Sequence, residues 1–77
     1  MEDRINKVLK LIFDLTDAEL AKDLSRSEIA KWDSLTHMDL VLSLEREFNV
    51  TFDIDEIIAL LDGIGSVRLV LKQKGVS

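Results

Sequence analysis

Seventy-seven residues without a cysteine make one small domain, whose apolar core contributes only about 3–5 kcal/mol and gains nothing from disulfides or thiolate metal ligands. With 47% hydrophobic residues, no proline and three glycines confined to the last fifteen positions, the composition favours helices, and no apolar run is long enough to span a membrane. The net charge of −5 is concentrated in residues 33–56, where seven acids meet one base, Arg46, a balance that repels nucleic-acid phosphates and attracts proteins carrying a basic patch.

Met1-Glu2-Asp3-Arg4 leads into an amphipathic pattern rather than the apolar stretch of a signal peptide, so a cytoplasmic protein is expected. Ile5, Val8, Leu9, Ile12 and Phe13 then recur at the spacing of one buried helical stripe, with Arg4, Lys7 and Lys10 off it. The first helix is predicted over about 3–15. Between 16 and 32 the period lapses. Thr16, Ser25 and Ser27 interrupt it, and Leu20, Leu24, Ile29 and Trp32 are irregularly spaced. This is read as a long loop pinned by its apolar residues, with a short helical turn near 17–22.

Asp33-Ser34 has the residue chemistry of an N-cap, and a second helix is predicted from there over about 34–48. Leu40, Val41, Leu44 and Phe48 form one stripe on it, and Leu35, Met38 and Leu42 a second. A helix apolar on two faces either sits centrally or keeps one face for a partner. After Asn49-Val50-Thr51-Phe52, Asp53-x-x-Glu56 resembles a capping box, opening a short third helix over about 54–61 through Ile54, Ile57, Ile58 and Leu61. Asp62-Gly63-Ile64-Gly65 is a turn signal. Ser66 is expected to cap a fourth helix over about 67–73, with Val67, Val70 and Leu71 inward and Gly75 ending it. The expected fold is all-α: a four-helix bundle over residues 1–77, with a long loop between the first and second helices and a short third helix.

Asp33-Ser34-Leu35, opening a helix after a long loop, resembles the modification motif of acyl carrier proteins. The resemblance runs on through Leu40-Val41-x-x-Leu44-Glu45-x-Glu47-Phe48, Asp53-Ile54-Asp55-Glu56 and Ser66-Val67, and so covers essentially the whole chain in order. It implies that a phosphopantetheinyl transferase moves 4′-phosphopantetheine from coenzyme A onto Ser34, with Asp33 and Leu35 as motif neighbours. The arm's thiol would then hold acyl or peptidyl groups as thioesters, making the chain a shuttle and not an enzyme. It also implies a recognition surface on the second helix, with Leu35 and Met38 apolar and Asp39, Glu45 and Glu47 acidic, for acyl-activating or synthase enzymes bearing basic patches. A serine at a helix start suits an attached phosphodiester, because the N-terminal end of the dipole favours anions by about 0.3–1 kcal/mol. A monomer is the expected state, and Met1 with short flanking ends favours a stand-alone protein.

Three residues depart from the pattern of fatty-acid carriers: Arg46 and Thr36 stand where acids are usual, and Trp32 where a smaller residue is. They point to a specialised pathway (polyketide, nonribosomal peptide or single-acyl), with fatty-acid biosynthesis the alternative. Trp32 is read as loop packing in preference to a partner contact. Ser34 and His37, three apart on a helix, have the spacing of a hydrolase pair, but Gly-x-Ser-x-Gly is absent and a chain this small leaves little room for a cleft. His37 is expected either beside the arm's phosphate or in solvent. Asp53-x-Asp55 fails as a calcium loop, since Ile58 and Ile64 occupy the positions needing glycine and an acid. An unmodified helical adaptor that grips a partner with its second helix is the remaining reading.

Overall fold

The computed structural model describes residues 2–75, all of whose regular structure is helical. The expectation drawn from Met1 lies outside the described residues. Helix α1 spans Glu2–Phe13 and buries Ile5, Val8, Leu9 and Phe13, as its stripe requires. It stops short of 15 because Asp14 adopts a left-handed conformation (φ 57°), which turns Leu15 back into the core. Aspartate tolerates that region better than most residues.

A single turn, α2 (Asp17–Leu20), follows, closed by a capping box between Thr16 and Glu19. A 3₁₀ turn at Arg26–Glu28 interrupts the remaining loop, and the Glu28 carboxylate accepts from both the amide and the hydroxyl of Ser25. Leu20, Ile29 and Trp32 are buried, so the loop is pinned by its apolar residues as expected.

Helix α3 is Ser34–Phe48, ended by Asn49 in the left-handed region (φ 54°). Its two predicted stripes separate cleanly. Leu40, Val41, Leu44 and Phe48 are buried, while Leu35, Met38 and Leu42 face solvent. Helix α4, Ile54–Ala59, carries the expected Asp53/Glu56 capping box and tightens into a 3₁₀ turn at Leu60–Asp62. Its stripe is thinner than the predicted one: Ile57 is half-buried and Leu60 fully buried, whereas Ile54 and Ile58 are exposed.

Helix α5, Ile64–Gln73, begins three residues earlier than predicted, so Ser66 is not its cap. Gly63 takes the N-cap position with φ 129°, and no side chain caps the helix. The first amide is satisfied from the long loop instead, Ile64 N–H donating to Leu24 O at 3.0 Å. Gly75, at φ 78°, terminates the helix as expected.

The helices converge on one core, in which Ile5, Leu9, Leu40, Leu44, Leu60, Ile64, Val67 and Leu71 have essentially no exposed surface. Each such side chain contributes about 1.5–3 kcal/mol relative to exposure, against the ordering entropy that folding must overcome. Polar ties brace the assembly. Arg68 on α5 donates to Asn6 Oδ1 on α1 and to Leu20 O on α2, at 3.0 and 3.1 Å. Lys74 pairs with Glu56 at 2.9 Å, joining the end of α5 to α4. The radius of gyration, 11.1 Å, is what a folded chain of this length should have, about 11–12 Å, so the loop adds no bulk. Among the described residues no helix is long and apolar enough to cross a membrane.

Candidate functional site

Ser34 is the first residue of α3, and the cap beside it belongs to other side chains. Asp33 holds an extended backbone (φ −116°, ψ −173°) and its Oδ1 accepts the Thr36 amide at 2.9 Å. Thr36 Oγ1 returns the contact by accepting the Asp33 amide at 2.8 Å, and donates its own hydrogen to Lys31 O at 2.5 Å. The Thr36 amide above all holds the Asp33 carboxyl below the usual aspartate range. Thr36 is therefore the reciprocal half of the cap, a role that sequence reading missed. The missed signal was a hydrogen-bonding residue three after the cap. Ser34 is exposed, and its hydroxyl has no hydrogen-bond partner among the described residues.

Beneath this exposed turn lies a buried relay. Trp32, 4% exposed, stacks on Phe13 with ring centroids 4.6 Å apart. Its indole N–H donates to His37 Nδ1 at 2.9 Å, and His37 Nε2 meets Ile57 O at 2.9 Å. An indole nitrogen can only donate, so Nδ1 accepts and the ring proton sits on Nε2, donated to the α4 carbonyl. His37 is thus neither beside the Ser34 hydroxyl nor in solvent. It is the buried polar residue of α3, with both nitrogens engaged inward. The hydrolase pairing has no geometric basis, since nothing brings an imidazole nitrogen to Ser34. Trp32 packs, as read from its place at the end of the loop.

The predicted recognition residues divide into two groups. Leu35 (73% exposed), Met38 (46%) and Asp39 lie on the first turns of α3 beside Ser34, and Leu42 extends the apolar stripe. Glu45 and Glu47 sit further along and are engaged within the chain. Glu45 Oε2 accepts the Phe52 amide at 2.9 Å, capping the turn that leaves α3. Glu47 pairs with Arg4 Nε at 2.8 Å, and that guanidinium holds its carboxyl below the usual range. Arg4 also lies over the Phe48 ring, 4.6 Å from its centroid, so the Arg4–Glu47 pair braces the α1–α3 contact.

Among the described residues no group of three or more His, Asp or Glu side chains gathers to hold a metal ion, and Asp53 is occupied by its reciprocal cap with Glu56. What the turn offers chemically is a primary hydroxyl, free of internal bonds, at the dipole-positive end of a fifteen-residue helix, flanked by apolar and acidic surface. No protein-family model matches the chain, and neither does a curated protein or a solved structure.

Proposed function

We propose that this chain is an acyl or peptidyl carrier whose α1, α3, α4 and α5 act as a four-helix bundle displaying Ser34 for covalent attachment of 4′-phosphopantetheine. The observation that carries the reading is the division of labour at the start of α3. Asp33 and Thr36 complete the cap, and the Ser34 hydroxyl is left exposed and unbonded. In the attachment step Ser34 Oγ attacks the pyrophosphate phosphorus of coenzyme A that bears the pantetheine. A new Oγ–P bond forms, the P–O bond to the nucleotide breaks, adenosine 3′,5′-bisphosphate leaves, and the serine proton passes to a base on the transferase. The residues present fit the product, because the phosphodiester lies in open solvent at the helix N-terminus, where a negative charge is favoured. Once attached, the arm supplies a thiol on which acyl or aminoacyl groups travel as thioesters. Its dependence on coenzyme A suits a cytoplasmic carrier, and Arg46, where fatty-acid carriers usually have an acid, favours a specialised pathway, with fatty-acid biosynthesis the alternative.

Leu35, Met38 and Asp39 form the client-facing surface, with Leu42 continuing it, while Glu45 and Glu47 serve mainly to hold α3 in place. Contacts of this kind are weak, and the part that Asp39 makes is salt-sensitive, which suits a shuttle that must leave each enzyme. The test is intact-mass measurement after incubation with coenzyme A and a broad-specificity transferase. The expected result is a gain of one phosphopantetheine unit that Ser34→Ala abolishes. An unchanged mass would instead favour the unmodified adaptor, for which the exposed Leu35–Met38–Leu42 stripe is the supporting feature.

A further inference from the structure

We infer that cargo carried on Ser34 stays outside the bundle, and that the chain is built for short or polar acyl and aminoacyl groups, not long aliphatic ones. The inference rests on the carrier reading and deepens it.

The seams nearest a group tethered at Ser34 are those that border the first turns of α3. One seam, toward the long loop, is filled by Trp32, wedged against Phe13 and hydrogen-bonded to His37. The other, toward α4, is closed by the bond between His37 Nε2 and Ile57 O. His37 stands three residues after Ser34, hence on the adjacent turn. One continuous chain of contacts, Phe13–Trp32–His37–Ile57, thus closes both of these seams.

Parting the loop seam leaves an indole N–H and an imidazole nitrogen buried without a partner, and parting the other breaks the part-buried bond to Ile57 O. An aliphatic tail cannot replace any of them. Behind the relay, Leu40, Leu44, Leu60, Ile64, Val67 and Leu71 are at most 1% exposed, so admitting further methylenes means displacing packed side chains. A chain of this size without cross-links has little stability to spend on such expansion. A long tail would therefore stay outside the core, with only the exposed Leu35, Met38 and Leu42 to cover part of it, whereas a short or polar group has no need of shelter.

The test uses the wild-type protein. Ser34 is loaded from acetyl-, hexanoyl- and dodecanoyl-coenzyme A by a broad-specificity transferase, and loading is verified by intact mass. Melting temperature, Trp32 emission and thioester cleavage by hydroxylamine are then compared. The expected result is the same melting temperature, the same emission maximum and cleavage rates within about twofold across the series, because a tail that does not bind the native state does not stabilise it. A dodecanoyl form that melts higher, shifts Trp32 emission or resists cleavage about tenfold, as a tail bound in the native core would, overturns the cargo inference while leaving the carrier reading intact. Failure to gain the acylated arm overturns both.

Discussion

Asp33 and Ser34 are adjacent, both polar and both able to cap, yet only Asp33 bonds to the helix. Asp33→Ala should therefore lose the cap and cost about 0.5–2 kcal/mol. Ser34→Ala, which removes no internal bond, should stay within about 0.5 kcal/mol of wild type. Urea denaturation followed by circular dichroism checks both, and a Ser34→Ala cost equal to that of Asp33→Ala would mean that the hydroxyl serves the fold. The position of this serine was legible in the sequence; its freedom was not, because freedom depends on which neighbour captures the amides. His37 was misread for a related reason. Its spacing from Ser34 drew attention to a surface pairing, while its spacing to Leu40, Val41 and Leu44 places it on the buried stripe. The apolar neighbours at three, four and seven residues were the better guide.

The start of α5 shows what an element's own sequence leaves unsaid. A serine before an apolar run is a sound cap signal, yet the helix begins before Ser66, at Ile64, because the long loop delivers Leu24 O to the first amide. That acceptor lies forty residues earlier in the chain, beyond any local pattern. Two glycines here should respond oppositely to alanine. At Gly63 (φ 129°) a Cβ would stand 2.5 Å from Leu24 O and 2.9 Å from Ser25 Cα, both backbone atoms that cannot move without dislodging the loop. Gly63→Ala should therefore cost more than about 2 kcal/mol. At Gly65 the obstruction is the carboxylate of Asp23, an exposed side chain free to swing away. Gly65→Ala should be neutral or gain up to about 1 kcal/mol from helix propensity. Thermal melts of the two variants distinguish these sites, and equal losses at both would show that Asp23 is held in place.

At the scale of the whole molecule, helical class and element order were legible because the 3.6-residue period is strong in α1, α3 and α5. The ties that close the molecule, Arg4 to Glu47 and Lys74 to Glu56, were not, since each joins residues distant in sequence. Those ties and the caps carry a consequence for acid stability. Among the described residues four carboxyls are held below their ordinary range: Glu28 by the Ser25 amide, Asp33 by the Thr36 amide, Glu47 by Arg4, and Glu56 by the Asp53 amide and then Lys74. A carboxyl that is more acidic folded than unfolded binds fewer protons in the native state, so lowering the pH favours unfolding. Its contribution is complete above the unfolded value, about 4, and is lost as the pH falls through the lower folded one. Because these groups are solvent-accessible, each effect is small and the sum is what a measurement detects. Urea midpoints should therefore decline as the pH is taken from about 5 to 3, with no requirement for a single titrating residue. Arg4→Met removes the largest cause acting on Glu47, so its acid decline should be shallower than wild type even though its starting stability is lower. Parallel declines in the two proteins would show that the Arg4–Glu47 pair, though well formed, contributes nothing to the pH dependence.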